Sequence, residues 1–231
     1  MLRILYQDEN LVAVDKPPGL LVHRTGLDAG ETQFALQMLR DQLGRPVWPA
    51  HRLDKGTSGV LLFALDADTA RTLARAFEAP DLVRKTYRAV VRGWTDESGV
   101  IDHPLQRLED DMRVGRVEVQ EAATPYRTLE RYELPLPYGS FPATRCALVE
   151  LQPLTGRRHQ LRRHMKHIAH PILGDATHGK GPLNRAVAEF IGMQRLWLHA
   201  QGLTLTHGDD ALTIAAPCDA TWARWQAFRV K

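Results

Sequence analysis

The sequence predicts a single domain of the mixed α/β or α+β class, and three observations carry that prediction. Short apolar runs of strand character alternate with stretches whose apolar residues recur at helix spacing. The 231 residues suffice for one sizeable core, and 44% hydrophobic against 25% charged residues is the balance of an ordinary globular protein. No internal repeat, low-complexity tract or long linker breaks the chain into separate pieces.

Leu2 to Tyr6 and Leu11 to Asp15 are two short strands joined by the turn Gln7-Asp8-Glu9-Asn10. Lys16-Pro17-Pro18-Gly19 ends the second, and Leu20 to His23 resumes extended structure. A helix is predicted from about Thr32 to Leu43, with Gly44 in the stopping position. A polar turn around Asp54 leads into the unbroken apolar strand Val60 to Leu65. Asp66 to Glu78 follows as a helix, because Ala70, Leu73, Ala74 and Phe77 recur at helix spacing and Asp66 or Asp68 supplies a cap. Lys85 to Val91 alternates as a strand, whereas residues 103–124 are charged and irregular, a surface excursion or hairpin. Thr144 to Gln152 is a strand, followed by Pro153-Leu154-Thr155-Gly156 and a helix from Arg157 to about Ile168. Leu196 to Thr206 and Leu212 to Ala215 are late strands, and Asp219 caps a last amphipathic helix bearing Trp222, Trp225 and Phe228.

Composition excludes several classes. No stretch approaches the roughly 18 apolar residues of a membrane span. Asp8 and Glu9 come too early for a secretory signal. Cys146 and Cys218 are the only cysteines, which argues against a disulfide framework or zinc ribbon and fits a reducing cytoplasm. A soluble cytoplasmic protein is expected. The net charge of +3 is modest, but its placement is not even. Between Glu150 and Asp175 there is no acid, yet Arg157, Arg158, Arg162, Arg163 and Lys166 fall there with four histidines. A second acid-free run from Leu82 to Thr95 holds Arg84, Lys85, Arg88 and Arg92. One such run also describes a solvated basic face; two favour a polyanionic partner, nucleic acid.

The most informative segment is His51-Arg52-Leu53-Asp54-Lys55-Gly56-Thr57-Ser58-Gly59. It sets one carboxylate between basic side chains and flexible glycines, anchored by the buried strand that follows. Alone, such a cluster also describes a turn with surface ion pairs. A second clue comes from the helix expected at Arg157. Leu161, Met165 and Ile168 form its apolar stripe, and Arg157 falls four residues before Leu161 on the same stripe. An inward cation in a first helical turn, where the dipole disfavours it, calls for a carboxylate partner, with Asp54 the candidate and snorkelling to solvent the alternative. The histidines at 159, 164, 167 and 170 raise the question of a metal. No cysteine or acid lies among them and helix spacing splays them, so no metal is expected.

The nine-residue Asp54 segment resembles the catalytic motif of the RluA family of pseudouridine synthases. Lys85-Thr86-Tyr87-Arg88-Ala89-Val90-Val91-Arg92-Gly93 and Thr155-Gly156-Arg157-Arg158-His159-Gln160-Leu161-Arg162 resemble two further motifs of that family. Its opening is matched by Tyr6-x-Asp8 through Val22-His23, and its ending by Leu198-His199-Ala200 with Leu203, Leu205 and His207. The resemblance covers nearly the whole chain in order. It implies the α+β pseudouridine synthase fold, a central mixed, largely antiparallel sheet flanked by helices, and a cofactor-free isomerisation of uridine in RNA. Asp54 would be the catalytic aspartate, Arg157 its paired arginine and Tyr87 the aromatic ring stacked on the target base. Arg52 would fill the space left by the flipped base, and Leu161 would line the target-base pocket. His51, Lys85, Arg88, Arg158, His159, Gln160 and Arg162 complete the expected RNA-contacting set.

Residues Arg163 to Gly179, Asn184 and Gln194-Arg195-Leu196, with His23-Arg24, resemble the branch of the family that acts on uridine 65 of tRNA. The expected partner is therefore tRNA, with a monomeric enzyme and no membrane. Ribosomal RNA is the alternative substrate, and a catalytically silent RNA-binding or RNA-folding protein the alternative function. Two departures bear on substrate choice: no S4-type RNA-binding domain leads the chain, and the segment after His207 is shorter than the family's Pro-x-x-Gly hairpin.

Overall fold

Asp66 does what its position predicts: its carboxylate accepts from the main-chain N–H and the hydroxyl of Thr69 and starts a helix at Ala67. Such local rules recover most elements of the computed structural model, which describes residues 1–23, 30, 32–79, 81–108, 118–207 and 210–230. Arg24 and the centre of the 103–124 excursion lie outside the described residues. The class is α+β with mixed, mostly antiparallel sheet. Contacts divide the chain into two compact units, residues 1–85 with 198–218, and residues 86–197 with 219–231.

The first unit contains β1 (Arg3–Gln7), β2 (Leu11–Lys16), α1 (Ala35–Leu43), β3 (Trp48–Pro49), β4 (Ser58–Ala64) and α2 (Ala67–Glu78). The returning strands β11 (Leu198–His207) and β12 (Asp210–Ala215) complete it. β1 pairs with β2 and β2 with β4, all antiparallel; β11 lies parallel to β4 and carries β12. Unbroken apolar runs make β2 and β4 interior strands: every residue of β4 is buried. Leu11, Ala13, Val60, Leu62 and Leu203 share a core that the Leu73–Phe77 face of α2 covers. The helix expected at Thr32 begins at Ala35, and Gly44 ends it in the left-handed conformation at φ 66°. Leu21 makes only an isolated bridge to Phe34 in place of the expected strand. The two ends of the motif series meet here: Asp8 accepts from the Tyr6 hydroxyl and contacts His207 Nε2 at 2.7 Å.

β5 (Val83–Arg92) carries the chain into the second unit. There β6 (Ser98–Asp102), β7 (Leu105–Gln106), β8 (Val119–Gln120), β9 (Ala123–Leu134) and β10 (Thr144–Leu151) follow. Residues 87–92 of β5 pair with β10, β10 with β9 and β9 with β6, while β7 and β8 form a small hairpin within the 103–124 excursion. Two helices, α3 (Gln160–His167) and α4 (Gly181–Ile191), complete the unit with a closing 3₁₀ helix, Ala220–Phe228. The last is 3₁₀ where an α-helix is expected, capped by Asp219 as predicted. Trp197 meets Trp222 and Trp225 edge to face at 5.4 and 5.2 Å, and Trp225 packs on Tyr132.

Candidate active site

In the first unit, hydrogen bonds fix the backbone around Asp54. The Asp54 carbonyl accepts from Thr57 N–H at 3.0 Å, closing the turn, while buried Leu53 anchors it from behind. Lys16, with no exposed surface, lies beneath. Its ammonium donates to the carbonyls of Pro17, Leu20 and Lys55 at 3.0, 2.7 and 3.1 Å, and Gly19 N–H also donates to Lys55. A buried cation needs such acceptors, and here they tie the Lys16–Leu20 turn to the residue after Asp54. Further along, Ser58 Oγ lies 2.9 Å from His199 Nδ1, and His199 Nε2 lies 3.0 Å from the Ala216 carbonyl. A carbonyl only accepts, so Nε2 carries the proton and Nδ1 accepts from the Ser58 hydroxyl. Beside it Gly59, at φ 108°, abuts the Ala200 backbone. Asp54 is half-buried at the end of this rigid frame and Arg52 is exposed.

His51 is corrected by the structure. Its ring stacks on Phe77 at 4.9 Å and its Nε2 accepts from Leu62 N–H, so it braces β4 rather than facing RNA. Burial, and then the charge of Lys85, push its pKa down to about 4, which keeps it the neutral acceptor this bond needs. Lys85 is itself half-buried, and burial lowers its pKa.

In the second unit, Tyr87 is half-buried opposite Leu151 on β10. Alternation along β5 sets Tyr87, Ala89 and Val91 on one face and Arg88, Val90 and Arg92 on the other. Arg88 therefore projects from the face opposite Tyr87. It stands opposite Glu150, which also pairs with Arg127 at 3.3 Å.

The third motif differs most from its sequence reading. The helix starts at Gln160, not Arg157, because His159 adopts a left-handed conformation at φ 55° and ends the regular period there. Arg157 thus lies in the preceding turn, outside the apolar stripe and the first helical turn. Its main-chain N–H donates to Gln160 Oε1 and its guanidinium Nε to the Glu121 carbonyl at 3.1 Å. Leu161 and Met165 are buried as expected. Gln160 and Arg162 are buried too, which corrects their placement among RNA-facing residues. Arg162 Nε and a terminal nitrogen each reach one oxygen of Asp175 at 2.8 Å, a bidentate pair. Arg158 is half-buried, and His159 Nδ1 contacts His178 Nε2 at 3.1 Å. Burial is the main cause that pushes His178 down to about 4.

Burial alone would raise the Asp175 pKa; the hydrogen bonds from Arg162 and the His178 N–H, with the Arg162 charge, outweigh it and hold the carboxyl below its usual range. Its folded pKa lies below the unfolded one, so the stability it contributes is full above the ordinary carboxylate range and lost as pH falls through the folded value. Arg162→Met should therefore cost about 3–5 kcal/mol by stranding Asp175, as urea denaturation would measure. An Arg162→Met protein as stable as wild type would show that the pair carries no weight.

Of the sequence-predicted residues, His51, Arg52, Asp54 and Lys85 belong to the first unit and Tyr87, Arg88 and residues 157–162 to the second. Sequence reasoning gave no role to Lys16, which binds the carbonyls of Pro17, Leu20 and Lys55, or to Ser58 and His199, which bond to each other and to the Ala216 carbonyl. Lys16 is marked by ending an apolar strand just before Pro17-Pro18, Ser58 by its place in the Asp54 motif and His199 by its place in the matched ending.

Comparison with known proteins shows the family. The RNA pseudouridylate synthase family profile matches residues 10–167. The tRNA pseudouridine synthase C of Vibrio cholerae is 50% identical over 228 residues, spanning 96% of this chain and 93% of that protein. Its counterpart from Pasteurella multocida is 49% identical over 96% of this chain and 93% of its own length. Among solved structures, human RNA pseudouridylate synthase domain containing 4 superposes with a TM-score of 0.73 at 30% identity, covering 97% of this chain and 92% of that one.

Proposed function

The chain belongs to the RNA pseudouridylate synthase family, and we propose that it isomerises a uridine of tRNA, at position 65, to pseudouridine. The observation that carries the tRNA reading is likeness over 96% of the chain to proteins named tRNA pseudouridine synthase C. The resemblance in residues 163–179 and 194–196 is what points to position 65.

The target uridine leaves the stack, because its glycosidic bond is out of reach inside a helix. Asp54 acts on the flipped nucleotide as nucleophile or base, and Tyr87 stacks on the uracil. The N1–C1′ bond breaks, the uracil turns, and a C5–C1′ bond forms. The proton lost from C5 is balanced by one gained at N1, so no oxidant or reductant enters. Arg157 is the arginine the chemistry requires, Arg52 occupies the vacated stack position, and Leu161 lines the pocket. The protein works as a monomer in the cytoplasm; among the described residues no helix is long and apolar enough to cross a membrane.

Tritium release from C5-labelled uridine in unmodified tRNA and ribosomal RNA, run in parallel, tests this reading. Release from tRNA alone supports it, and loss of release in tRNA whose uridine 65 is replaced supports the position. Release from ribosomal RNA alone would overturn the substrate. Exposed and half-buried cations such as Arg52, Arg88, Arg158 and Lys166 are placed to grip phosphates once buried Arg162 is set aside. Each phosphate neutralised adds about −0.7 on a single strand, and about −0.9 on B-form DNA, to the slope of log K against log salt. Arg158→Ala should flatten that slope by about one contact while Arg162→Met leaves it unchanged, as filter binding across a salt series would reveal. Equal slopes in wild type and Arg158→Ala would remove Arg158 from the phosphate-gripping set.

A further inference from the structure

Residue 157 is held from both sides by one neighbour. Gln160 Oε1 accepts from the Arg157 N–H at 3.0 Å, and the Gln160 N–H donates to the Arg157 carbonyl at 3.0 Å. The same side-chain oxygen accepts from the Thr155 hydroxyl at 2.7 Å. The amide nitrogen of Gln160 is equally committed, donating to the Ala123 carbonyl at 3.1 Å and to Thr124 Oγ1 at 3.0 Å. An amide has two donors and two acceptor positions, and this one uses all four.

The pattern continues with a defined polarity. Having accepted from Gln160, the Thr124 hydroxyl donates its own proton to His164 Nδ1, 2.9 Å away. His164 Nε2–H then donates to the His103 carbonyl at 3.0 Å. Gln160, Thr124 and His164 are all buried. The neighbouring Glu121 carbonyl accepts from the Arg157 guanidinium, and the Ala122 carbonyl accepts from His103 N–H. Residues 121–124 thus serve as one buttress for both main chain and side chain of Arg157. A buried polar chain in which every donor has an acceptor has one low-energy arrangement, and it transmits that arrangement to the turn at its end.

We propose that Gln160, Thr124 and His164 are positioning residues, a buried hydrogen-bond chain that holds the Thr155–Arg157 turn in the geometry the isomerisation needs. None of the three touches the reacting atoms; each acts through Arg157. The inference rests on the catalytic role proposed for Arg157. It also gives the base of the 103–124 excursion a task, since His103 and Glu121 terminate the chain and the contact from Arg157.

A double-mutant cycle on kcat under saturating tRNA tests it. Gln160→Leu should lower kcat by on the order of 10²-fold, the scale at which a small misplacement of a catalytic group is felt, with KM for tRNA changed less than about threefold. Arg157→Met should lower kcat severely, and adding Gln160→Leu to it should produce little further loss, because the group being positioned is gone. Should Gln160→Leu fail to fold, Thr124→Val gives the same cycle, with Thr124→Ser restoring the hydroxyl and the rate. Multiplicative losses in the cycle, or an effect confined to KM or melting temperature, would overturn the positioning role. Wild-type turnover by Arg157→Met would instead overturn the catalytic role of Arg157 itself, and the positioning role with it.

Discussion

Asp54→Asn should abolish turnover while tRNA affinity stays within a few fold of wild type. The substitution is isosteric and leaves in place the bonds made to the backbone of the turn. Thr57 N–H donates to the carbonyl of residue 54, and Lys16 and Gly19 bind the carbonyl of residue 55. What is lost is the anionic oxygen that attacks the sugar or removes its proton, which an amide cannot replace. Removing the group that carries a covalent or proton-transfer step costs about 10⁴-fold or more in kcat in well-dissected enzymes. Single-turnover conversion of C5-tritiated tRNA measures the rate, and filter binding at fixed salt measures the affinity. Wild-type-like conversion would remove Asp54 from the chemistry and leave the motif a structural turn. Loss of binding in parallel with loss of rate would assign Asp54 to RNA recognition.

The elements most legible in the sequence are those whose local signals agree with their burial. β2 and β4 are continuous apolar runs, and both are buried interior strands. α2 has its cap at Asp66 and its stripe ending at Phe77. β9 was hidden for the opposite reason: Arg127, Glu130, Arg131 and Glu133 along it make the segment look like a charged loop, although its backbone pairs on both sides. α4 carries its own signals in Pro182 at its start, Leu183, Val187 and Ile191 on one stripe, and Gly192 at its end.

The candidate site divides along the same line. Residue types and spacing point to Asp54 and Arg157, and the family resemblance to Tyr87, whereas the expectation that Arg157 begins a helix rests on periodicity alone. Periodicity does not record that the Gln160 side chain takes up the Arg157 N–H, or that His159 turns left-handed. Arg162 shows the limit of charge patterning. Its run contains no acid in sequence, yet the chain turns back so that the acid bounding the run, Asp175, becomes its buried partner. His51 looks like a basic flank of the aspartate in sequence; its interaction with Phe77, 26 positions away, is a product of α2 packing on β4.

Gly59→Ala should cost more stability than any other single methyl added in the motif. The position combines a φ of 108° with a contact that no side chain can relieve. A Cβ there would stand 2.2 Å from the Ala200 carbonyl oxygen, 2.7 Å from its carbon and 2.8 Å from its nitrogen. These are backbone atoms of a strand fixed on both sides, by parallel pairing to β4 and by the β11–β12 ladder. Strained φ costs about 1–3 kcal/mol and a clash that forces backbone apart a similar amount. Together these approach the whole stability of a marginal domain. Gly44→Ala is the matched control, since its φ of 66° is also left-handed but nothing lies within 4 Å. It should lose only about 1 kcal/mol. Urea titration of the two variants separates conformational strain, which they share, from the close approach of β4 to β11, which only Gly59 has. The same approach seats the Ser58 hydroxyl on His199, four residues from Asp54. Whatever folded Gly59→Ala remains should therefore turn over more slowly than folded Gly44→Ala, and equal stability and equal turnover in the two would mean that β11 yields and does not set the position of the aspartate.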